Sequence, residues 1–259
     1  MRVLFMLFSL TILIGLSGCS SKGIVEPKEV AVEQSQDDEF LDSFSNEMEV
    51  KKVCDPLSGY NRVMTSFNDG AYEYFLRPVA TGYSNILHVE IRRSVDNFFN
   101  NIYIPVSFVN NILQGKFQYA LQEGSRFIIN TTVGIVGLYD PAKNYFEIEV
   151  HKEDFGQTLG FYGVGSGPHI VLPLLGPSNL RDLAGMYPDS FFTFIDYDKR
   201  GYWTLTDTPA EYFSVKFIEY VNLISLNKEK YEKMREDAVD LYPYLRDIYE
   251  QRRNKLIEE

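Results

Sequence analysis

Apolar residues recur through most of this chain at the three- and four-residue spacing that puts them on one face of a helix. From Asn61 to Phe75, Val63, Phe67, Ala71, Tyr74 and Phe75 fall close to a 3.6-residue period. The spacing predicts a helix that stops before Pro78, with its apolar stripe packed in the core. Ile86 to Ile102 is clearer, with Ile91, Val95, Phe98, Phe99 and Ile102 on one face and Glu90, Arg92, Arg93, Asp96 and Asn100 on the other. Pro105 is placed to open a further helix through Leu113, with Gly115 as its stop. Phe117 to Val133 also reads as helical, although it contains Gly124. Residues 134–187 are rich in Gly and Pro and hold only short apolar runs such as Ile170 to Leu175, which predicts loops, short helices and a small hairpin. Asp207-Thr208-Pro209 marks a helix start, with a pattern that runs through Leu226. Asn227 then begins a charged helix, and Pro243 begins or kinks the last one. No internal repeat is visible. The fold class is mainly α.

The first residues follow a different pattern. Arg2 precedes an apolar run from Val3 to Leu16, the length of a signal-peptide core and short for a membrane-spanning helix. The run ends in Leu16-Ser17-Gly18-Cys19, which resembles a bacterial lipobox. That resemblance implies cleavage after Gly18 and acylation of Cys19, which anchors the chain through buried methylenes without a spanning helix. Serine rather than aspartate follows Cys19, which in the lipoprotein sorting pattern favours the outer membrane. Ser20 to about Met48 is polar and acidic, with too few large apolar groups to offset its ordering entropy. The expected organisation is a signal peptide over 1–18, an acylated flexible tether over 19–50 and one domain over 51–259.

Composition narrows the function classes. The net charge of −11 becomes −12 once Arg2 leaves with the signal. Such a chain is ill suited to nucleic acid, and any lipid handling must rely on apolar burial. Cys54 is the only thiol left after acylation of Cys19, so the mature chain has no intramolecular disulfide. Cys54 reads either as a reactive thiol or as a small residue at the start of the fold. Aromatics reach 15% of the residues, with 19 Phe, 18 Tyr and one Trp. They suit a membrane interface or a binding groove, and equally a core built from aromatics. No later segment approaches 18 consecutive apolar residues, and no series of alternating ten-residue strands points to a barrel.

A search for chemistry assigns no catalytic residue, metal or cofactor. The three histidines, His88, His151 and His169, form no HxxxH pair, which leaves a zinc site without support. Gly163-Val164-Gly165-Ser166-Gly167 lacks both the spacing of a nucleophile elbow and the Lys-Ser/Thr of a phosphate loop. It reads as a turn whose three glycines adopt backbone conformations or close approaches that a side chain forbids. Asp140-Pro141 and Pro188-Asp189 read as turn pairs.

The same segments resemble a known family. The pieces are Asp55-Pro56-Leu57-x-Gly59-x-Asn61-Arg62 with Phe67-Asn68, Arg77-Pro78-Val79-Ala80, Asn97-Phe98, and Asn110 with Leu113-Gln114-Gly115. Then come Arg126-Phe127-x-x-Asn130-Thr131 and Phe155-Gly156-Gln157-Thr158-Leu159-Gly160. Gly163-x-Gly165-x-Gly167-Pro168 and Arg181-Asp182 complete the set, with a weaker return at Tyr244 to Arg252. Their order and spacing are similar to the VacJ/MlaA lipoproteins; His169 departs from the tyrosine often found there. The resemblance implies a ring-like bundle of amphipathic helices with Gly/Pro-rich loops, embedded in the inner leaflet of the outer membrane. Phospholipid removed from the outer leaflet passes through its channel to a periplasmic lipid-carrier protein, and members associate with an outer-membrane porin trimer. It makes Asn61, Phe67, Asn68, Asn97, Phe98, Asn110, Asn130, Gly163, Gly165, Gly167, Pro168, Arg181 and Asp182 candidates for channel or packing roles. Phe67 is expected either to pack in the core or to sit on a helix that sets access of the channel to the outer leaflet. Two other classes remain open from the residues: a structural lipoprotein that tethers porins or envelope layers, and a lipid-hydrolysing enzyme.

Overall fold

A computed structural model describes residues 55–195 and 204–259. The signal peptide, Gly18, Cys19, the tether and Cys54 lie outside the described residues. The unit Asp55–Glu259 is mainly helical. Its first helix, α1 (Ser58–Ala71), does not stop before Pro78. It passes through a wider π-helical segment, Tyr72–Leu76, straight into α2 (Arg77–Ile86). A proline inside a regular helix removes one hydrogen bond and crowds the carbonyl four residues back. The wider turn absorbs this defect: the Arg77 N–H bonds five residues back to the Tyr72 carbonyl, and Pro78 sits in the first turn of α2.

The predicted break at Pro105 is also absent. α3 (Val89–Leu113) runs 25 residues with Pro105 inside it, packed along α4 (Phe117–Thr132) and against α8 (Pro209–Asp237). Tertiary packing on both sides outweighs a local cost of about 3 kcal/mol. Gly115 ends α3 as expected. It takes φ +75°, its N–H bonds to the Ile112 carbonyl, and the Lys116 N–H reaches the Asn111 carbonyl, the paired bonds of a left-handed helix cap. α8 starts as read, with the Thr208 side chain capping the Glu211 N–H, but continues past Asn227 as one 29-residue helix. Its charged second half is held by contact with α1 and the π-helical segment: Arg235 pairs with Asp69 at 2.7 Å and Glu73 at 2.7 Å.

The Gly/Pro-rich middle contains α5 (Pro141–Asn144), α6 (Phe155–Phe161), an antiparallel hairpin of β1 (His169–Leu172) and β2 (Gly176–Asn179), and α7 (Leu180–Asp189). α9 (Leu241–Glu258) closes the chain against α6, α1 and β2. α6 crosses α7 at two glycines. A Cβ on Gly185 would lie 2.5 Å from the Gly156 nitrogen, and one on Gly156 would lie 2.4 Å from Asp182 Oδ1. The Gly163–Gly167 block only partly matches its reading. Gly163 and Gly167 take φ +85° and +68°, but Gly165 has neither a positive φ nor any atom within 4 Å of the position a Cβ would take.

The largest departure concerns which side of each helix faces in. The apolar stripe of α1 and the π-helical segment is on the outside: Val63, Phe67 and Tyr74 are 62%, 52% and 87% exposed, while Asn61 and Thr65 are buried. Phe67 is therefore not a core residue. Polar inward positions recur at Asn101, Ser107, Asn110 and Asn111 of α3, Glu123, Arg126 and Asn130 of α4, and Asn222 and Ser225 of α8. A small conventional core survives around Phe99, Ile102 and Ile195, with Phe98 packed against it. Leu76, Ala80, Ile104, Val106, Val171 and Val221 are buried as well, but many large apolar side chains point out, including Val133, Ile135, Val136 and Tyr139 in the turn after α4. No described helix is long and apolar enough to cross a membrane.

The glycine crossing makes a direct prediction. Gly156→Ala should cost about 1–3 kcal/mol through overpacking against Asp182 and Arg253, whereas Gly165→Ala should stay within about 0.5 kcal/mol. Thermal unfolding of both variants in detergent measures the difference; equal melting temperatures would contradict the crossing.

Candidate functional site

The buried polar groups are arranged in three clusters. In the first, Arg253 on α9 reaches Asp154 through Nη1 at 2.6 Å and Nη2 at 2.8 Å, and Asp182 through Nη2 at 2.9 Å. Asp154 also caps α6 by accepting the Gln157 N–H. Asp182 accepts from Arg181 Nε at 3.0 Å and from the Tyr249 hydroxyl at 2.7 Å. Burial alone raises the Asp154 pKa, but the Arg253 guanidinium outweighs it and the net shift is downward. Asp182 is thus a structural fastener between α6, α7 and α9, and Arg181 ties it to the Val164 carbonyl in the loop after α6.

In the second cluster, Asn61 lies within hydrogen-bond reach of Asp55 at 3.1 Å, the His169 carbonyl at 3.0 Å and the Tyr242 hydroxyl at 3.1 Å, and accepts the Val171 N–H at 2.9 Å. It joins α1, β1 and α9. Asn68, two α1 turns further on, donates to the Leu172 carbonyl at 2.9 Å and accepts the Leu174 N–H at 2.7 Å, clamping the hairpin turn. Pro168 and Gly167 lie just before β1, where the Pro168 carbonyl accepts the Leu180 N–H.

The third cluster faces a cleft of about 970 Å³ between α3, α4, α6 and α7. Asn130 donates to Asp140 Oδ1 at 2.9 Å, and Arg126 donates to Asp140 Oδ2 at 2.8 Å and to the Ile148 carbonyl at 2.8 Å. Asn97 lines the same cleft and donates to the Leu138 carbonyl at 3.3 Å. Asn110 stands behind the wall, where it orients Asp189 at 2.8 Å and accepts the Thr158 hydroxyl at 2.8 Å. Of the sequence candidates, Asn97 and Asn130 line this cleft and Asn110 supports it. Phe98, the glycines of the Gly163–Gly167 block, Arg181 and Asp182 do not.

The cleft holds both signs of charge, with Arg126, Lys143, Lys152 and Lys216 facing Asp96, Glu123, Asp140, Glu153, Asp154 and Asp189. Burial pushes the Glu123 carboxyl up despite the His151 N–H it accepts at 2.6 Å, and pushes the Lys152 ammonium down. Burial raises Asp189 to about 6, against the Phe155 N–H and the Asn110 amide that favour its charged form. Asn101 Oδ1, Arg126 Nε and Gln157 Oε1 are buried atoms of cleft-lining residues with no hydrogen-bond partner among the described residues. Buried polar groups are normally satisfied, so these three suit a polar ligand or water in the cleft. Its walls include Ile104, Val106 and Leu183 as well, which makes the cavity amphipathic. No group of three or more His, Cys, Asp or Glu suited to a metal occurs among the described residues.

Sequence reasoning missed Arg126, Lys152 and Asp189 as cleft residues and Arg253 as the main fastener. Arg126 sits one helical turn before Asn130 in a motif already singled out. Asp189 reads locally as part of a turn pair, and no local signal ties it to Phe155 across 34 positions.

A profile of the MlaA lipoprotein family matches residues 53–256. The chain belongs to the MlaA lipoprotein family. It is 36% identical over 160 residues to the intermembrane phospholipid transport system lipoprotein MlaA of Escherichia coli, spanning 58% of this chain and 63% of that one. The Haemophilus influenzae lipoprotein of the same name is 31% identical over 217 residues, spanning 82% and 83%. An uncharacterized protein of Rickettsia typhi is 35% identical over 183 residues, spanning 68% and 72%. A solved structure from work on the structural basis for maintenance of bacterial outer membrane lipid asymmetry superposes with a TM-score of 0.67 at 30% identity, spanning 78% of this chain and 98% of that one. The helical architecture and the MlaA assignment agree with the sequence resemblance.

The raised Asp189 pKa has a testable sign. Between its ordinary 3.8 and about 6 the folded state binds more protons at this position than the unfolded chain. The stability it supplies is full below pH 3.8 and is lost as pH rises through about 6. Subtracting the melting profile of Asp189→Asn from that of the wild type cancels the opposite trends of Asp154 and Asp140, which both proteins share. The difference should fall as pH rises from about 4 to about 6.5; a flat difference would contradict the burial argument.

Proposed function

We propose that this protein is an outer-membrane lipoprotein that removes mislocalised phospholipid from the outer leaflet through the 970 Å³ cleft and passes it to a periplasmic lipid-carrier protein. One observation carries this reading: the helices turn polar residues inward around an amphipathic cleft and large apolar residues outward. In water such an exterior is an association liability. In hydrocarbon it is a solvated surface, and the polar cleft becomes the route by which a headgroup crosses an apolar layer. Lys143, Lys152 and Lys216 offer partners for a phosphate, and Asp96, Asp140 and Glu153 offer partners for a headgroup amine. No bond in the lipid is made or broken.

In this reading the signal over 1–18 is cut after Gly18, acylated Cys19 anchors the chain, and the segment 19–50 tethers the domain on the periplasmic side. The domain lies in the inner leaflet, with no helix required to span it. A porin trimer is the proposed neighbour against the outward aromatic faces. The relatives named for intermembrane phospholipid transport support the substrate class.

The test fills the cleft from its edge. Met186 lines it and is 51% exposed, so Met186→Trp narrows the route without entering the buried clusters. Cells with this variant at normal abundance should accumulate surface-exposed phospholipid to the level of cells lacking the protein. Unchanged outer-leaflet composition would contradict a route through this cleft, and loss of the entire chain with no rise in surface phospholipid would favour a tethering role.

A further inference from the structure

We propose that the domain carries a second ligand site, for a single-chain anionic amphiphile, in a cleft of about 450 Å³ between α1, the β1–β2 hairpin, α8 and α9. This cleft shares no lining residue with the larger one, so the inference does not rest on the transport reading. Its volume is within the roughly 300–1,000 Å³ of small-molecule sites, and it is less than half the larger cleft.

The chemistry of the walls selects the ligand. Leu174, Leu223, Ile224, Met234 and Leu245 supply an apolar surface along which an acyl chain can lie. Lys228, Lys230, Arg246 and Arg252 also line the cleft, and no Asp or Glu does, in a chain whose net charge is −11. The larger cleft, by contrast, mixes both signs. Arg246 is tied to Asp55 at 3.0 Å and Asp247 at 2.8 Å. The other three cations have no ion-pair partner among the described residues, which leaves their charge available to an anion.

Two buried polar atoms point the same way. The Tyr72 hydroxyl and His169 Nε2 belong to lining residues 6% and 0% exposed, and neither atom has a hydrogen-bond partner among the described residues. His169 Nδ1 faces Glu250 Oε1 at 2.9 Å, so the opposite ring nitrogen is the free one. Tyr72 is fixed by its edge contact with Tyr231, ring centroids 4.5 Å apart. Polar atoms this deeply buried are satisfied by ordered water or by a ligand. An apolar trough with cations on its wall and buried polar atoms beside it matches one acyl chain bearing a carboxylate or a phosphate. A free fatty acid and a lysophospholipid share that chemistry.

The test measures equilibrium binding of radiolabelled oleate, lysophosphatidylglycerol and lysophosphatidylcholine to the purified full chain in a nonionic detergent. The wild type should bind at least one of the two anionic probes more tightly than the zwitterionic one. Combined Lys228→Glu, Lys230→Glu and Arg252→Glu should weaken that anionic binding by about tenfold or more and leave the zwitterionic probe unchanged. Met234→Trp, which fills the trough, should abolish the preference for the anionic probe at an unchanged melting temperature. Preference for oleate alone would name the fatty acid as the ligand, and preference for lysophosphatidylglycerol alone would name the lysophospholipid. Equal binding of all three probes, failure of both anions to bind, or full anionic binding by a folded charge-reversal or filled variant would overturn the proposal.

Discussion

Arg253 holds two carboxylates that belong to different helices, and the arrangement of the domain follows from that contact. Asp154 opens α6, Asp182 lies in the first turn of α7, and Arg253 is near the end of α9. The guanidinium meets both with its planar fork, the geometry that makes arginine rather than lysine suited to such a site. The contact is possible only because Gly156 and Gly185 let α6 and α7 touch backbone to backbone. Removing Arg253 would leave the buried Asp182 with Arg181 as its remaining cation, a loss of about 1–3 kcal/mol. The same junction sets the cleft, since Asp154 and Asp189 at its wall are positioned by the helices that Arg253 draws together.

This dependence on polar fasteners explains how the domain holds its shape with so small an apolar core. A chain that turns Val63, Phe67, Tyr74 and Ile128 outward forgoes their burial as a folding force in water. It then relies on specific hydrogen bonds and ion pairs across Asn61, Asn110, Asn130, Asp140 and Asp182. Such bonds gain strength where water is excluded and are costly when left incomplete. In the proposed lipid environment an apolar solvent around the outward faces would restore the balance.

Much of the helical content was legible from periodicity, and the ordered Asn, Gly and Arg-Asp motifs identified the family. The orientation of the helices was not. A stripe at 3.6-residue spacing reports one face of α1 but not what covers it, so of the two readings of Phe67 the core one fails, at 52% exposure. Proline rules place breaks at Pro78 and Pro105 because they describe local cost. The structure meets that cost with a π-helical turn at the first and with packing against α4 and α8 at the second. The charge shift at Asn227 likewise reads as a boundary, because Arg235's partners Asp69 and Glu73 lie 166 and 162 positions away. Gly115 was readable as a cap because its requirement is local. Arg253 was not readable as a fastener, because nothing within its own helix specifies Asp154 or Asp182.

In the proposed function this domain is solvated by hydrocarbon outside and by water within its cleft. Nitroxide labels placed singly at Val63, Tyr74 and Ile128, and at Lys143 beside the cleft, can be compared in bilayer-reconstituted protein. Collision rates with molecular oxygen and with a water-soluble nickel chelate report which medium each label meets. The account predicts oxygen-dominated relaxation at Val63, Tyr74 and Ile128, and chelate-dominated relaxation at Lys143. Chelate access at all three outward positions would contradict it.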